Sequence, residues 1–106
     1  MTRSQRKLTA VMFTDVVGYS AMVNRDERQA RALLDMHRKL LGREVAQWRG
    51  RHIDNIGDGT LTIFDSALDA AECAVSIQHA LRQRNATAAP AAQLRIRIAL
   101  HQGDVE

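Results

Sequence analysis

Scarcity sets the first limits on this chain. It carries one cysteine, Cys73, so no disulfide can close within it, and a reducing compartment, by default the cytoplasm, is expected. Aromatic residues make up only 4% of it, and of these only Phe13 and Phe64 fall on strand-like runs. An RNA-binding sheet needs exposed stacking rings, so that class loses its main support. No apolar run approaches the roughly 20 residues that cross a bilayer, and the run after Met1–Lys7 ends at Asp15, too soon for a signal peptide. Acids are missing from residues 1–7, where Arg3, Arg6 and Lys7 stand. The whole chain holds 15 bases and 12 acids, so the remainder is balanced. The pI of 9.8 therefore reflects a basic leader, expected to be flexible, and no nucleic-acid partner is expected.

What is present fits one compact domain of 106 residues, with a core of its own and no dividing linker. Leu8 to Phe13 is rich in apolar and β-favouring side chains and predicts a buried strand that meets Thr14-Asp15 and leaves the core at Asp15, with Gly18 turning the chain. Asn24-Arg-Asp-Glu27 has the form of a capping box. Behind it Ala30, Leu33, Leu34, His37, Leu40, Leu41, Val45 and Trp48 recur at helical spacing, and Gly50 closes the helix. His37, on that apolar stripe, reads as a core histidine. Arg51 to Phe64 predicts a hairpin turning at Gly57-Asp58-Gly59. Asp65 or Ser66 caps a second helix whose buried side is expected from Leu68, Ala71, Ala74, Val75, Ile77 and Leu81. Leu94 to Leu100 alternates strictly and predicts a last strand with one face on the core.

Strand, helix, strand, strand, helix, strand is the split βαβ pattern of an α+β, ferredoxin-like βαββαβ sandwich, an antiparallel sheet with two helices on one face. Right-handed crossovers place the first and third strands at the centre, antiparallel. The hairpin turn then brings Asp58 beside Asp15, despite their distance in sequence. Two carboxylates with oxygen-only surroundings suit Mg²⁺ or Mn²⁺ rather than zinc, and the glycines around Asp58 leave room for a ligand. Cations clamped there would activate an attacking hydroxyl and neutralise a triphosphate. The plainer alternative stays open: Asp15 as a helix cap and Asp58 as a turn residue.

Three motifs carry a resemblance. Val11-Met-Phe-Thr-Asp15-Val-Val-Gly18-Tyr19-Ser20, Asn55-Ile-Gly57-Asp58-Gly59 and Arg97-Ile-Ala-Leu-His-Gln-Gly103-Asp104-Val105 resemble the catalytic domains of class III adenylyl/guanylyl cyclases, from about Lys7 to Glu106. The resemblance implies that Asp15 and Asp58 hold two metal ions, Mg²⁺ or Mn²⁺, and that amides around Val17, Gly18, Tyr19 and Ser20 bind nucleotide phosphates. It implies cyclisation of a purine nucleoside triphosphate with release of pyrophosphate, a role in signalling, and a homodimer. Asp54, three residues before Gly57, matches the purine-contacting position, where adenylyl cyclases of the family carry lysine and guanylyl cyclases glutamate. Family domains continue past the third motif with further purine contacts, an asparagine and a transition-state arginine. Residues 8–106 thus match a catalytic core truncated on its C-terminal side. No arginine of the three motifs is expected at the reacting phosphates, so the chain alone is expected to bind nucleotide weakly and turn it over negligibly. A catalytically inactive module for nucleotide binding or dimerisation is the second expectation. A diguanylate-cyclase relative is excluded, since Ile56-Gly-Asp-Gly59 does not match the hairpin motif of that family.

Overall fold

The structure, a computed structural model, describes residues 7–105; residues 1–6 of the expected basic leader lie outside the described residues. Strand β1 (Lys7–Val16) leads through a two-residue turn into a short helix α1 (Tyr19–Arg25) and a long helix α2 (Glu27–Gln47). The hairpin β2 (Arg51–Ile56) and β3 (Gly59–Phe64) follows, then α3 (Ala67–Asn85), a 3-10 turn at Pro90–Ala92 and β4 (Ile96–Val105). The sheet order is β2-β3-β1-β4, and all three pairings are antiparallel. This is the expected α+β architecture, with the first and third strands at the centre.

The alternation along each strand decides which face meets the helices. Ala10, Met12, Thr14 and Val16 of β1 are buried, as are Thr60, Thr62 and Phe64 of β3. Against them pack Ala30, Leu33, His37, Leu40, Leu41 and Val45 of α2 and Ala70, Cys73, Ile77 and Leu81 of α3. The opposite face carries Phe13, which is 45% exposed, and Asp15. Edge strand β2 is exposed at every position, including Ile53 and Ile56.

Several local expectations need correction. Asn24 does not cap the long helix: it lies inside α1, and Asp26 is the cap, its Oδ1 accepting from Gln29 N–H at 3.1 Å. The chain coils directly after Gly18, and Asp26, extended at φ −160°, separates the two helices. At the other end of α2 the left-handed residue is Arg49 (φ 65°), not Gly50. Gly50 is needed for space, because a Cβ there would stand 2.6 Å from the Phe64 ring. Ser66 caps α3 as one of the two expected choices, accepting from Asp69 N–H at 3.2 Å.

The buried stripe of α3 is rotated from the expected one: Leu68 and Val75 are 69% and 67% exposed, while Ala70 and Cys73 are buried. Its inward face is partly lined by the small side chains of Ala70 and Cys73, so side-chain bulk alone does not identify that face. Along β4 the inward alternation fades: Ile96, like Leu94 just before the strand, is buried, Ile98 is half-buried and Leu100 is 46% exposed. Among the described residues, no helix is long and apolar enough to cross a membrane.

Candidate functional site

The site lies at one end of the central strand pair. Register sets Asp15 opposite Gly59 on β3 and opposite Arg97 on β4. Gly59 is required by the close approach of the strands, since a Cβ would stand 2.5 Å from the Thr14 carbonyl oxygen. Gly57 is required by its backbone, at φ +58°, and nothing crowds it. The two glycines therefore make the turn tight and press it onto β1; only Gly57 leaves open space. As a result Asp58 Oδ2 accepts from Val16 N–H at 3.2 Å, across 42 positions of sequence. The Asp58 carboxylate thus sits on the amide of the residue that follows Asp15.

Asp15 is itself paired. Arg97 donates through Nε to Oδ1 at 3.0 Å and through Nη2 to Oδ2 at 3.1 Å, a two-pronged contact on the open face of the sheet. The hydrogen bonds to Asp15, then its charge, hold the Arg97 guanidinium more firmly protonated than usual. Arg97 lies in the third motif, and the structure pairs it with the Asp15 carboxylate, a contact that the motif spacing did not anticipate. The alternation from Leu94 to Leu100 marks Arg95 and Arg97 as outward-facing, but only the β1–β4 register shows that one of them meets Asp15.

Behind the carboxylates lies a buried polar cluster. His37 on α2 is fully buried, with Nε2 2.9 Å from Thr14 Oγ1, and Thr14 Oγ1 is 2.6 Å from Thr60 Oγ1. Burial, then the neighbouring Arg38 charge, pushes the His37 imidazole down to about 4, against a weaker upward pull from Asp58 and Asp15. The next residue, Arg38, donates from Nη2 to the Gly57 carbonyl oxygen at 3.2 Å. Thr60 and Arg38 lie outside the three motifs, and Thr14 carries no polar signal within the first; the paired register of β1 and β3 joins the two threonines, and the packing of α2 brings Arg38 to the turn.

The other expected site residues divide. Gly18 turns the chain at φ +71° and Tyr19 and Ser20 open α1. Met22 N–H is bonded to Gly18 O at 3.0 Å, so the amides before it are the orphan donors of a helix start. Val17 N–H is instead committed to the Arg95 carbonyl oxygen at 2.9 Å. Asp54 sits exposed on edge strand β2, with β3 between it and β1. The structure does not bring Asp54 to the carboxylate pair.

Among the described residues, no group of three or more His, Cys, Asp and Glu side chains converges to hold a metal. Two carboxylates alone do not make a closed cage. They do fit a hard divalent cation that keeps water and phosphate oxygens as its other ligands, which is the usual situation of Mg²⁺. The donor set excludes a structural zinc site.

A four-stranded antiparallel α+β domain that brings carboxylates to one end of its central strands is the class defined by this geometry. The family within that class follows from comparison. The family described as the adenylate and guanylate cyclase catalytic domain matches residues 1–106, and the chain belongs to it. It is 33% identical over 102 residues to a Rhizobium meliloti (strain 1021) protein named "Putative adenylate cyclase 3", covering 95% of this chain and 17% of that protein. The solved adenylate/guanylate cyclase/hydrolase from Silicibacter pomeroyi is 33% identical, with a TM-score of 0.83 over 94% of this chain and 59% of that one. A bacterial light-regulated adenylyl cyclase shares the fold at a TM-score of 0.84 and 19% identity, covering 97% of this chain and 57% of that one. The chain thus spans under a fifth of the Rhizobium relative and somewhat over half of the two solved structures.

Proposed function

We propose that this chain supplies the metal-holding part of a purine nucleotide cyclase, which converts ATP or GTP to a 3′,5′-cyclic nucleotide and pyrophosphate. The observation that supports this best is the seating of the Asp58 carboxylate on Val16 N–H, directly beside Asp15. Asp15 and Asp58 would hold Mg²⁺ or Mn²⁺, two ions on the family resemblance, and the cations supply charge neutralisation for the triphosphate and its attacking hydroxyl. In the reaction the ribose 3′ oxygen forms a bond to the α-phosphorus, the bond to the β-phosphate oxygen breaks, and the hydroxyl proton passes to solvent as pyrophosphate leaves.

The chain's own residues have separable parts in this. Asp15 and Asp58 place negative charge at one end of the strand pair. Arg97, which is 72% exposed at its side chain, neutralises Asp15 and is free to turn toward phosphate oxygens when a cation takes its place. On the family resemblance the amides of Gly18, Tyr19 and Ser20 would donate to phosphate; Val17, its own N–H bonded to the Arg95 carbonyl, serves by fixing the turn. Gly57 lets the turn close, and Asp54 stands as the candidate purine contact by its motif position. A homodimer is part of the proposal, supported by the unpaired edge of β2 with Ile53 and Ile56 exposed on it.

Calorimetry with a purine triphosphate, with and without Mg²⁺ or Mn²⁺, tests this reading. Binding is expected only with metal and is expected to be lost in Asp58→Ala; metal-independent binding would refute it. The second reading, an inactive nucleotide-binding or dimerisation module, draws on the Arg97 clamp on Asp15. Metal-dependent binding without any cyclic nucleotide formed by the complete catalytic domain would favour it.

A further inference from the structure

Helix α2 reaches the carboxylate end of the sheet at two consecutive residues, and both contacts are polar. Arg38 holds the Gly57 carbonyl from outside, while His37 meets Thr14 from within the core. Thr14 immediately precedes Asp15, and Thr60 follows Asp58 by two residues. These threonines are register partners on β1 and β3, and their hydroxyls touch. A continuous line of hydrogen bonds therefore runs from α2 through the two strands whose ends carry Asp15 and Asp58.

We propose that His37 is a positioning residue, which fixes the strand ends bearing Asp15 and Asp58 through the hydroxyls of Thr14 and Thr60. The proposal rests on the cyclase reading for what the carboxylates hold, but not for the positioning itself. The direction of the line follows from the unpartnered atom. His37 Nδ1 is buried without a hydrogen-bond partner among the described residues. A buried N–H left unpaired is rarer than an acceptor left unpaired, so the proton belongs on Nε2. Nε2–H then donates to Thr14 Oγ1, and the Thr14 hydroxyl donates onward to Thr60 Oγ1. The ring stays neutral at physiological pH, as its burial requires.

This assigns the cluster a task that apolar packing could not perform. Valine at 14 or 60 and leucine at 37 would fill similar space but would not set the offset between the two strands. Groups that orient metal-holding carboxylates from behind typically govern metal affinity by about 10- to 100-fold.

The test uses the wild-type chain with Thr60→Val, His37→Leu and His37→Gln, the last keeping an N–H near the Nε2 position. The first readout is hydrogen exchange of the Val16 amide, which reports the Asp58 contact without any metal. Protection of Val16 is expected to fall about five- to tenfold in Thr60→Val and His37→Leu, and to be held in His37→Gln. A fall no larger than that of the slowest core amides would overturn the proposal, leaving the cluster as packing. Thr60→Val decides the matter if His37→Leu does not fold. The second readout is nitrogen-15 NMR of His37, where Nε2–H is expected and an Nδ1–H tautomer would overturn the assigned direction. The third is Mn²⁺ affinity, expected to drop 10- to 100-fold with the same order of variants. If the wild type binds no Mn²⁺, the cyclase reading falls, and Val16 exchange still decides the positioning.

Discussion

Lowering the pH should destabilise this chain through one residue. His37 is fully buried and its ring is held at about 4 against an ordinary 6.5. The unfolded chain takes up a proton there as pH falls below about 6.5, whereas the folded chain does so only near 4. Folding stability is therefore complete above 6.5 and falls as pH drops through that window. At 1.36 kcal/mol per pH unit the full loss is about 3 kcal/mol, with about 2 kcal/mol already gone by pH 5. Against a usual stability of about 5–15 kcal/mol this is a large share. Urea unfolding followed by circular dichroism at pH 7.5 and pH 5 reads it as a midpoint lower by about 1 M. His37→Gln, which has no ring to protonate, is the reference that isolates this contribution. The wild type should lose about 2 kcal/mol more than the variant between the two pH values. Parallel losses would refute the assignment of a neutral buried imidazole.

Other outcomes follow from the same contacts. Gly59→Ala should cost about 1–3 kcal/mol, because its Cβ would meet the Thr14 carbonyl at 2.5 Å, and it should weaken metal binding too; urea melts and Mn²⁺ titration check both. Asp26→Ala should lower stability by about 1 kcal/mol through loss of the Gln29 contact, read as a shift in thermal midpoint. Arg97→Gln should leave the urea midpoint nearly unchanged, since its pair with Asp15 is exposed, yet raise affinity for Mn²⁺ alone and lower it for the metal–nucleotide complex. The chain should self-associate with concentration in sedimentation, and Ile56→Lys on the exposed edge strand should weaken that association.

The sequence made the frame legible because periodicity survives without partners. The stripe of α2, the hairpin and the outward alternation of β4 all follow from local spacing. Topology alone then sufficed to bring Asp58 toward Asp15. Register was another matter. Arg97 is one of two arginines at outward positions of the alternating run Leu94–Leu100, and nothing local selects it over Arg95 as the partner of Asp15. Thr14 and Thr60 look like ordinary β-favouring residues until their strands are aligned. The inward face of α3 differs from the expected stripe for a related reason: Ile77 and Leu81 are buried as expected, but beside them stand the small Ala70 and Cys73 rather than the larger Leu68 and Val75. Asp26 surpassed Asn24 as a cap because the chain was already helical at Asn24.

Paramagnetic broadening by Mn²⁺ in the presence of a purine triphosphate tests the central claim most directly. A sub-stoichiometric titration into nitrogen-15-labelled chain reports which amides lie near the ion. The account predicts that Asp15 and Val16 on β1 broaden together with Asp58 and Gly59 of the hairpin, and that Asp58→Ala abolishes the effect at both places. Broadening at one strand end without the other, or centred elsewhere on the chain, would contradict the joint hold of Asp15 and Asp58 on the metal.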